Sequence, residues 1–261
     1  MEPWRGKWAL VTGASAGIGL TLAAQLAAGG TNLILTARRR ERLETLAGRL
    51  SSQHGVRIEV CPADLSLPTA PEHLFAFTQN QRIAVDLLVN NAGFGTYGLF
   101  PMSDRTRQVV MVQVNVAAVV ALTHLYLPGM IERRRGDILI VASTAAFQGV
   151  PYLATYAGTK AFDLLFAEAL AEEVRGLGIR VCALCPGPTA TEFQEVAGEP
   201  GRLSRHAETA EKVARVGLEA LARGRSYAIS GVTNYLQAQA ERLVPRQFVT
   251  RMAAKMLRPP D

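Results

Sequence analysis

Cysteine is scarce in this chain. There are three, an odd number, at positions 61, 182 and 185. That excludes a disulfide framework and points to a reducing compartment. Charge is sparse too, at 19% against 49% hydrophobic residues, which excludes a disordered protein. The 23 glycines and 13 prolines in 261 residues are ordinary, so nothing collagen-like or linker-rich is present. Neither sign of charge dominates: 28 basic against 22 acidic residues leave +6. That surplus permits an anionic ligand and gives no ground for nucleic acid. Residues Met1 to Trp8 lack an apolar core of signal-peptide length, so a cytoplasmic location is expected. The four histidines are scattered, and no metal site is expected.

One long apolar run is present, Val109 to Met130. It carries Gln113, Asn115, Thr123 and His124 and ends at Pro128-Gly129, which favours a buried helix over a membrane span. Short apolar runs recur at 8–12, 32–37, 57–62, 86–90, 137–142, 179–185 and 226–229. Between them lie helical patterns at 17–28, 39–52, 105–127, 155–175 and 209–223. Strand and helix alternate, which specifies an α/β fold, a doubly wound parallel seven-stranded sheet with helices on both faces. Several strands are continuously apolar, as a sheet covered on both sides requires. No linker divides the chain, so residues 1–261 read as one domain. Residues 192–206 have the composition of a loop over a site, and 234–261 read as a C-terminal extension.

The first strand runs into Thr12-Gly13-Ala14-Ser15-Ala16-Gly17-Ile18-Gly19, and a helix follows at once. Glycines at 13, 17 and 19 allow a tight turn and close approach of backbone to a ligand. The helix start offers free N–H groups and a positive dipole end to a pyrophosphate. The second strand ends at Leu35-Thr36-Ala37-Arg38-Arg39. Where an acidic residue would bind the ribose 2′-hydroxyl of NAD, Ala37 stands, followed by Arg38. A guanidinium there pairs with a 2′-phosphate, so NADP(H) is expected over NAD(H). Arg38 is the better phosphate ligand, Arg39 is ambiguous, Ser15 can add a bond, and Arg40 to Arg42 read as a solvated first helical turn.

Tyr156 and Lys160 are four apart at the head of an apolar helix and share a face. A phenol titrates near 10 and is a poor acid–base group at neutral pH. A nearby ammonium favours the phenolate and lowers that value, which makes the tyrosine a usable proton donor to a carbonyl oxygen.

Together with Asp64, Asn90-Asn91-Ala92-Gly93, Asn115, Ser143 and Pro186-Gly187, these motifs make the chain resemble the short-chain dehydrogenase/reductase family over roughly residues 5–231. The resemblance implies a Rossmann-type fold and a catalytic set of Asn115, Ser143, Tyr156 and Lys160. Ser143 would hold the substrate oxygen, and Tyr156 would give or take the proton. Lys160 would depress the tyrosine and bind the nicotinamide ribose, and Asn115 would hold a water in a proton relay. On the residues alone, Asn115 reads rather as a capped or internally bonded amide. The implied cofactor contacts are Gly13, Ser15, Ala16, Gly17, Ile18, Gly19, Arg38, Arg39, Asp64, Leu65, Asn91, Ala92, Gly93, Tyr156, Lys160, Pro186, Gly187, Thr189 and Thr191. Asp64 would accept from the adenine amino group, and 186–191 would hold the carboxamide. Two departures are visible: Cys185 stands where the family often has Asn, and the chain continues past the usual end.

The implied activity is NADP-dependent hydride transfer between nicotinamide and a ketone or secondary alcohol. The alternative is a non-catalytic cofactor-binding regulatory or scaffold protein of the same fold. Phe94, Tyr97, Phe147, Tyr152 and Phe193 are candidates for an apolar pocket wall, which hints at a bulky apolar ketone. Helices 105–127 and 155–175 are apolar all round, and in the family they form a subunit interface, so a homodimer or homotetramer is expected. The tail, with apolar residues at 243, 244, 248, 249, 252, 256 and 257 among basic ones, fits a packed helix better than contact with an anionic membrane. Cys182 and Cys185 lie three apart on a strand, point to opposite faces and read as structural.

Overall fold

The computed structural model describes residues 2–198 and 207–259. Seven parallel strands form one sheet: β1 (Trp8–Thr12), β2 (Asn32–Thr36), β3 (Ile58–Val60), β4 (Val85–Asn90), β5 (Gly136–Val141), β6 (Ile179–Cys185) and β7 (Tyr227–Ile229). Their order is β3-β2-β1-β4-β5-β6-β7. The helices are α1 (Gly17–Ala28), α2 (Arg40–His54), α3 (Ala70–Asn80), α4 (Arg105–Val112), α5 (Ala118–Glu132), α6 (Ala154–Glu173), α7 (Phe193–Ala197), α8 (Ala210–Ala222), α9 (Val232–Ala240) and α10 (Arg246–Leu257).

Strand periodicity divides the core. Ala9, Val11, Leu33, Leu35, Leu87, Val89, Leu139 and Leu184 face α1, α2 and α8, where Leu22, Leu26, Leu46, Val213 and Leu218 meet them. Leu10, Ile34, Leu88, Ile138, Ile140 and Val181 face α3, α5 and α6, through Leu74, Leu122, Tyr126 and Leu164. Each wholly buried leucine contributes roughly 1.5–3 kcal/mol, so neither face can be left bare. Cys182 and Cys185 fall on opposite sides of the sheet.

The expected strands and most helices form within a few residues of their expected ends. Helix 70–80 was absent from the sequence-based set. The helix expected to stop at Pro128 continues to Glu132 with the proline inside it. Losing one backbone bond at Pro128 is offset by Met130, which is wholly buried beneath the sheet. Arg105–Glu132 is long and apolar enough to cross a membrane by length and composition. Here one face of its second half, including Leu122, Tyr126 and Met130, packs on the sheet. Between α4 and α5 the helix widens into a π segment, Gln113–Ala117. Of the expected loop 192–206, residues 193–197 form α7, and 199–206 lie outside the described residues.

The direction in which successive strands are added reverses between β1 and β4, since β2 and β3 lie on one side and β5 to β7 on the other. Such a switch point opens a crevice at the carboxyl ends of the strands. The carboxyl ends of β1, β4, β5 and β6 lead to Gly13, Asn91, Ser143 and Pro186 respectively.

Candidate active site

The glycine turn is laced to β4. Thr12 Oγ1 accepts from Asn91 N at 2.9 Å and Ala92 N at 3.0 Å and donates to Val89 O at 3.1 Å. Asn91 Nδ2 donates to Thr12 O at 2.8 Å. A Cβ on Gly19 would stand 2.3 Å from Asn91 Nδ2 and 2.4 Å from Gly13 O, so only glycine lets these segments meet. Gly13 also adopts φ +66°, in the left-handed region. The Asn91 side chain therefore braces the turn. Helix α1 starts at Gly17 after Ala16, with no side-chain cap. Its first N–H groups lack intrahelical acceptors and are open to an anion.

Beside this turn lies an arginine cradle. Ser15 Oγ accepts from Arg39 Nε at 3.2 Å and Nη2 at 3.1 Å. Arg39 Nη1 and Arg42 Nη1 donate to the two oxygens of Glu192, at 2.9 and 2.6 Å. These guanidinium groups hold the Glu192 carboxyl below the usual carboxylate range. Arg38 is exposed and has no hydrogen-bond partner among the described residues. Arg42, expected to be merely solvated, is thus part of the cradle, while Arg40 pairs along its helix with Glu44. The helical turn swings Arg42 back toward the site.

Four residues past the end of β3, Asp64 Oδ1 accepts from Ser66 N at 3.0 Å, and Leu65 is buried behind it. Gly93 closes the β4 end, where an added Cβ would stand 3.1 Å from Asn115 Oδ1 and 3.6 Å from Lys160 Nζ.

Asn115 is wholly buried in the π segment. Its Oδ1 accepts from Phe94 N at 3.1 Å, and Nδ2 donates to Phe94 O and to Thr159 Oγ1, each at 3.0 Å. The amide is internally satisfied, as its residue type alone allowed. Ser143 follows β5, starts a 3-10 turn, and its Oγ accepts from Ala145 N at 3.1 Å. Tyr156 lies in the first turn of α6, and the Ser143 hydroxyl acts on its phenol. Lys160 Nζ stands 6.0 Å from the Tyr156 ring centroid. It donates to Val141 O at 2.7 Å and to Asp163 Oδ2 at 2.9 Å.

Electrostatics depart from expectation here. Burial pushes the Tyr156 phenol up, and the pull of Lys160 and Ser143 only partly offsets it, with Asp163 opposing them. Burial disfavours the Lys160 ammonium, yet Asp163 and then Tyr156 outweigh that and raise it. The ammonium does lower the phenol, as expected, but desolvation wins.

On the far wall, Thr189 Oγ1 donates to Gly187 O at 3.0 Å, and Thr191 Oγ1 accepts from Phe193 N at 3.3 Å. A Cβ on Gly17 would lie 3.1 Å from Thr191, so this segment touches the glycine turn. Pro186 O accepts from Thr144 N at 2.9 Å, which ties it to the Ser143 turn. The Phe193 ring lies 5.1 Å from that of Tyr156, and Tyr97 and Tyr152 lie 6.3 Å apart beside it. Tyr152 holds φ +67°, a strained value for a side chain of this size, four residues before Tyr156. Phe147 instead leans on Tyr227, and Phe94 stacks beneath Arg107.

The C-terminal extension closes this wall. Pro245 divides it into α9 and α10, and Leu257 packs with Val150, Leu153 and Ala157 next to Tyr156. Tyr97 OH donates to Leu257 O at 2.6 Å. Sequence reasoning passed over Asp163, although a lone acid within Phe162-Asp163-Leu164-Leu165 was a signal.

Residues 7–200 match the family described as short chain dehydrogenase. A very-long-chain 3-oxoacyl-CoA reductase of Pyrenophora tritici-repentis (strain Pt-1C-BFP) is 36% identical over 181 residues, 68% of this chain and 53% of that protein. Its Bos taurus namesake is 33% identical over 199 residues, 74% of this chain and 63% of that one. The chain thus spans less than two thirds of these curated relatives. Among solved structures, a 7β-hydroxysteroid dehydrogenase superposes with TM-score 0.87 at 27% identity, covering 96% of this chain and 98% of that one. A short-chain dehydrogenase from Sphingobium yanoikuyae in complex with NADPH gives 0.82 at 28%, covering 94% and 95%. The chain belongs to the short-chain dehydrogenase family.

Proposed function

We propose that this protein is an NADP(H)-dependent reductase of bulky apolar ketones, with Tyr156 as proton donor. The observation that carries it is the meeting of Ser143, Tyr156 and Lys160 at the carboxyl edge of the sheet, beside an uncapped helix start. When bound, the nicotinamide supplies or accepts the hydride. Ser143 and Tyr156 present two hydroxyls to a carbonyl oxygen, which polarise it and hold it still. Tyr156, pushed up by burial, stays protonated at neutral pH and is ready to donate. Lys160 supports the phenolate that this leaves behind. Asn115 acts by joining the Phe94 backbone to Thr159, the residue before Lys160, and a π segment leaves carbonyl groups nearby with irregular pairing.

The choice of NADP(H) is supported by Arg39 and Arg42, which already gather a carboxylate next to Ser15 and α1. Asp64 keeps one carboxylate oxygen for an adenine. Substrate class is supported by Tyr97, Tyr152 and Phe193 around Tyr156 and by the activities for which the relatives are named. Assembly into a homodimer or homotetramer is supported by Val109, Val112, Val120, Phe162 and Leu165, all exposed on α4 to α6.

A panel of ketones and alcohols with both coenzymes, followed at the nicotinamide absorbance, tests the reading. Tyr156→Phe is expected to lower kcat on the best substrate by about 10²–10⁴-fold. Turnover equal to the unaltered protein overturns it.

A further inference from the structure

We infer that Asp163 is a positioning residue of this reaction: it anchors Lys160 and cancels part of the ammonium charge that Tyr156 experiences. The inference rests on Tyr156 being the acid–base group. Tyr156, Lys160 and Asp163 occupy positions i, i+4 and i+7 of α6 and so share one stripe of the helix. The Lys160 and Asp163 side chains are 7% and 1% exposed, and their ion pair measures 2.9 Å. An ammonium has three donors. Val141 O and Asp163 Oδ2 take two of them, which fixes the amine and leaves one for the cleft.

Asp163 is poorly explained as a core residue. Its Oδ1 is buried with no hydrogen-bond partner among the described residues. A buried ion pair is often replaceable by apolar side chains without loss of stability, so Asp163 is not needed for packing. What it does supply is a negative charge beneath the reacting groups. Lys160 alone favours the phenolate, whereas Lys160 with Asp163 is a nearly neutral pair and favours it less. Tyr156 is thereby kept a proton donor, which suits ketone reduction over alcohol oxidation.

Among the described residues, no other charged group facing the pair competes. The π segment presents the neutral amide of Asn115, reaching α6 through Thr159. The turn after β5 presents the Ser143 hydroxyl, and the pocket wall presents Tyr97 and Tyr152. At the end of β6 stands Cys185, a thiol that burial pushes up and keeps neutral, with Glu168 acting on it.

The test compares the unaltered protein with Asp163→Asn, and with Asp163→Ser should the first misfold. The cofactor-free proteins are titrated by tyrosinate absorbance, and Tyr156→Phe serves to subtract the other tyrosines. The pH profile of kcat/KM for alcohol oxidation is read alongside. Removing the negative charge is expected to move Tyr156 ionisation and the oxidation limb to lower pH by about one unit, roughly tenfold in the ionisation constant. A limb and titration that stay in place, or move to higher pH, overturn the inference. If Tyr156→Phe turns over normally, the proposed function fails instead, a result visible without any change at Asp163.

Discussion

Glu192 lies across the mouth of the arginine cradle, its two oxygens 2.9 Å from Arg39 Nη1 and 2.6 Å from Arg42 Nη1. It stands just before α7, which carries Phe193 over Tyr156, so the cradle and the pocket wall share one tether. A 2′-phosphate drawn to Arg39 has to displace that carboxylate. These side chains are about half exposed, and pairs of this kind contribute ~0–1 kcal/mol. Glu192→Gln is therefore expected to tighten NADPH binding by about two- to fivefold, measured by quenching of protein fluorescence. Weaker binding would mean that the carboxylate helps to hold the coenzyme.

Arg39 itself is expected to discriminate between coenzymes. Hydrogen bonds to charged groups are worth about 1.5–3 kcal/mol. Arg39→Leu should raise KM for NADPH by roughly 10- to 150-fold and leave KM for NADH almost unchanged. Equal loss for both coenzymes would assign Arg39 to folding of the turn through Ser15.

The raised phenol of Tyr156 gives a signed pH dependence. Its protonated form donates in reduction, so reduction is expected to hold through neutral pH and to fall only as pH rises through the shifted value, above the ordinary phenol near 10. Oxidation, which needs the ionised form, is expected to climb over that same alkaline range. Reduction that declines between pH 6 and 8, a window set by roughly the histidine range, would assign the proton to another group.

Stability can be separated from chemistry at Gly178. Its φ is +81°, and an added Cβ would stand 2.1 Å from Arg134 O, a backbone atom that cannot rotate aside. Gly178→Ala is expected to cost about 2 kcal/mol, seen as a Tm lower by about 4–8 °C. This loop precedes β6 at the sheet edge opposite the site, so kcat at low temperature should be unchanged.

Asn115 offers a test of positioning. Asn115→Leu leaves Phe94 N and Phe94 O without their side-chain partner, at about 1–3 kcal/mol for each buried group. A fall in kcat larger than the fall in stability would tie the amide to catalysis. A fall in Tm alone would make it a brace.

The alternating apolar runs made the sheet legible, because Leu87, Leu88 and Val89 must each find a covered side whichever way they point. Gly13, Tyr156 and Lys160 were legible because their spacing fixes them on one turn or one helix face, whereas Ser143 was reached only through the family resemblance. Two things resisted. Arg42 and Glu192 are 150 residues apart, and nothing local announces their pairing. The rise of the Tyr156 phenol follows from desolvation, which depends on Phe193, Tyr97 and α10 closing around it rather than on the Lys160 spacing. The helix running past Pro128 was missed because the depth of Met130 decides it, and depth is set by the folded sheet.

The widened turn at 113–117 carries one residue more than an ordinary helical turn. It sets the phase of the helix that follows, so Leu122 and Tyr126 meet the sheet. Deleting a single residue there would rotate everything downstream by about 100° and bring polar positions inward. Length at this point is thus as constrained as side-chain identity. Engineers seeking to reshape the enzyme by insertion or truncation have freedom in the connections around Gly55 and Gly224, and none inside this helix.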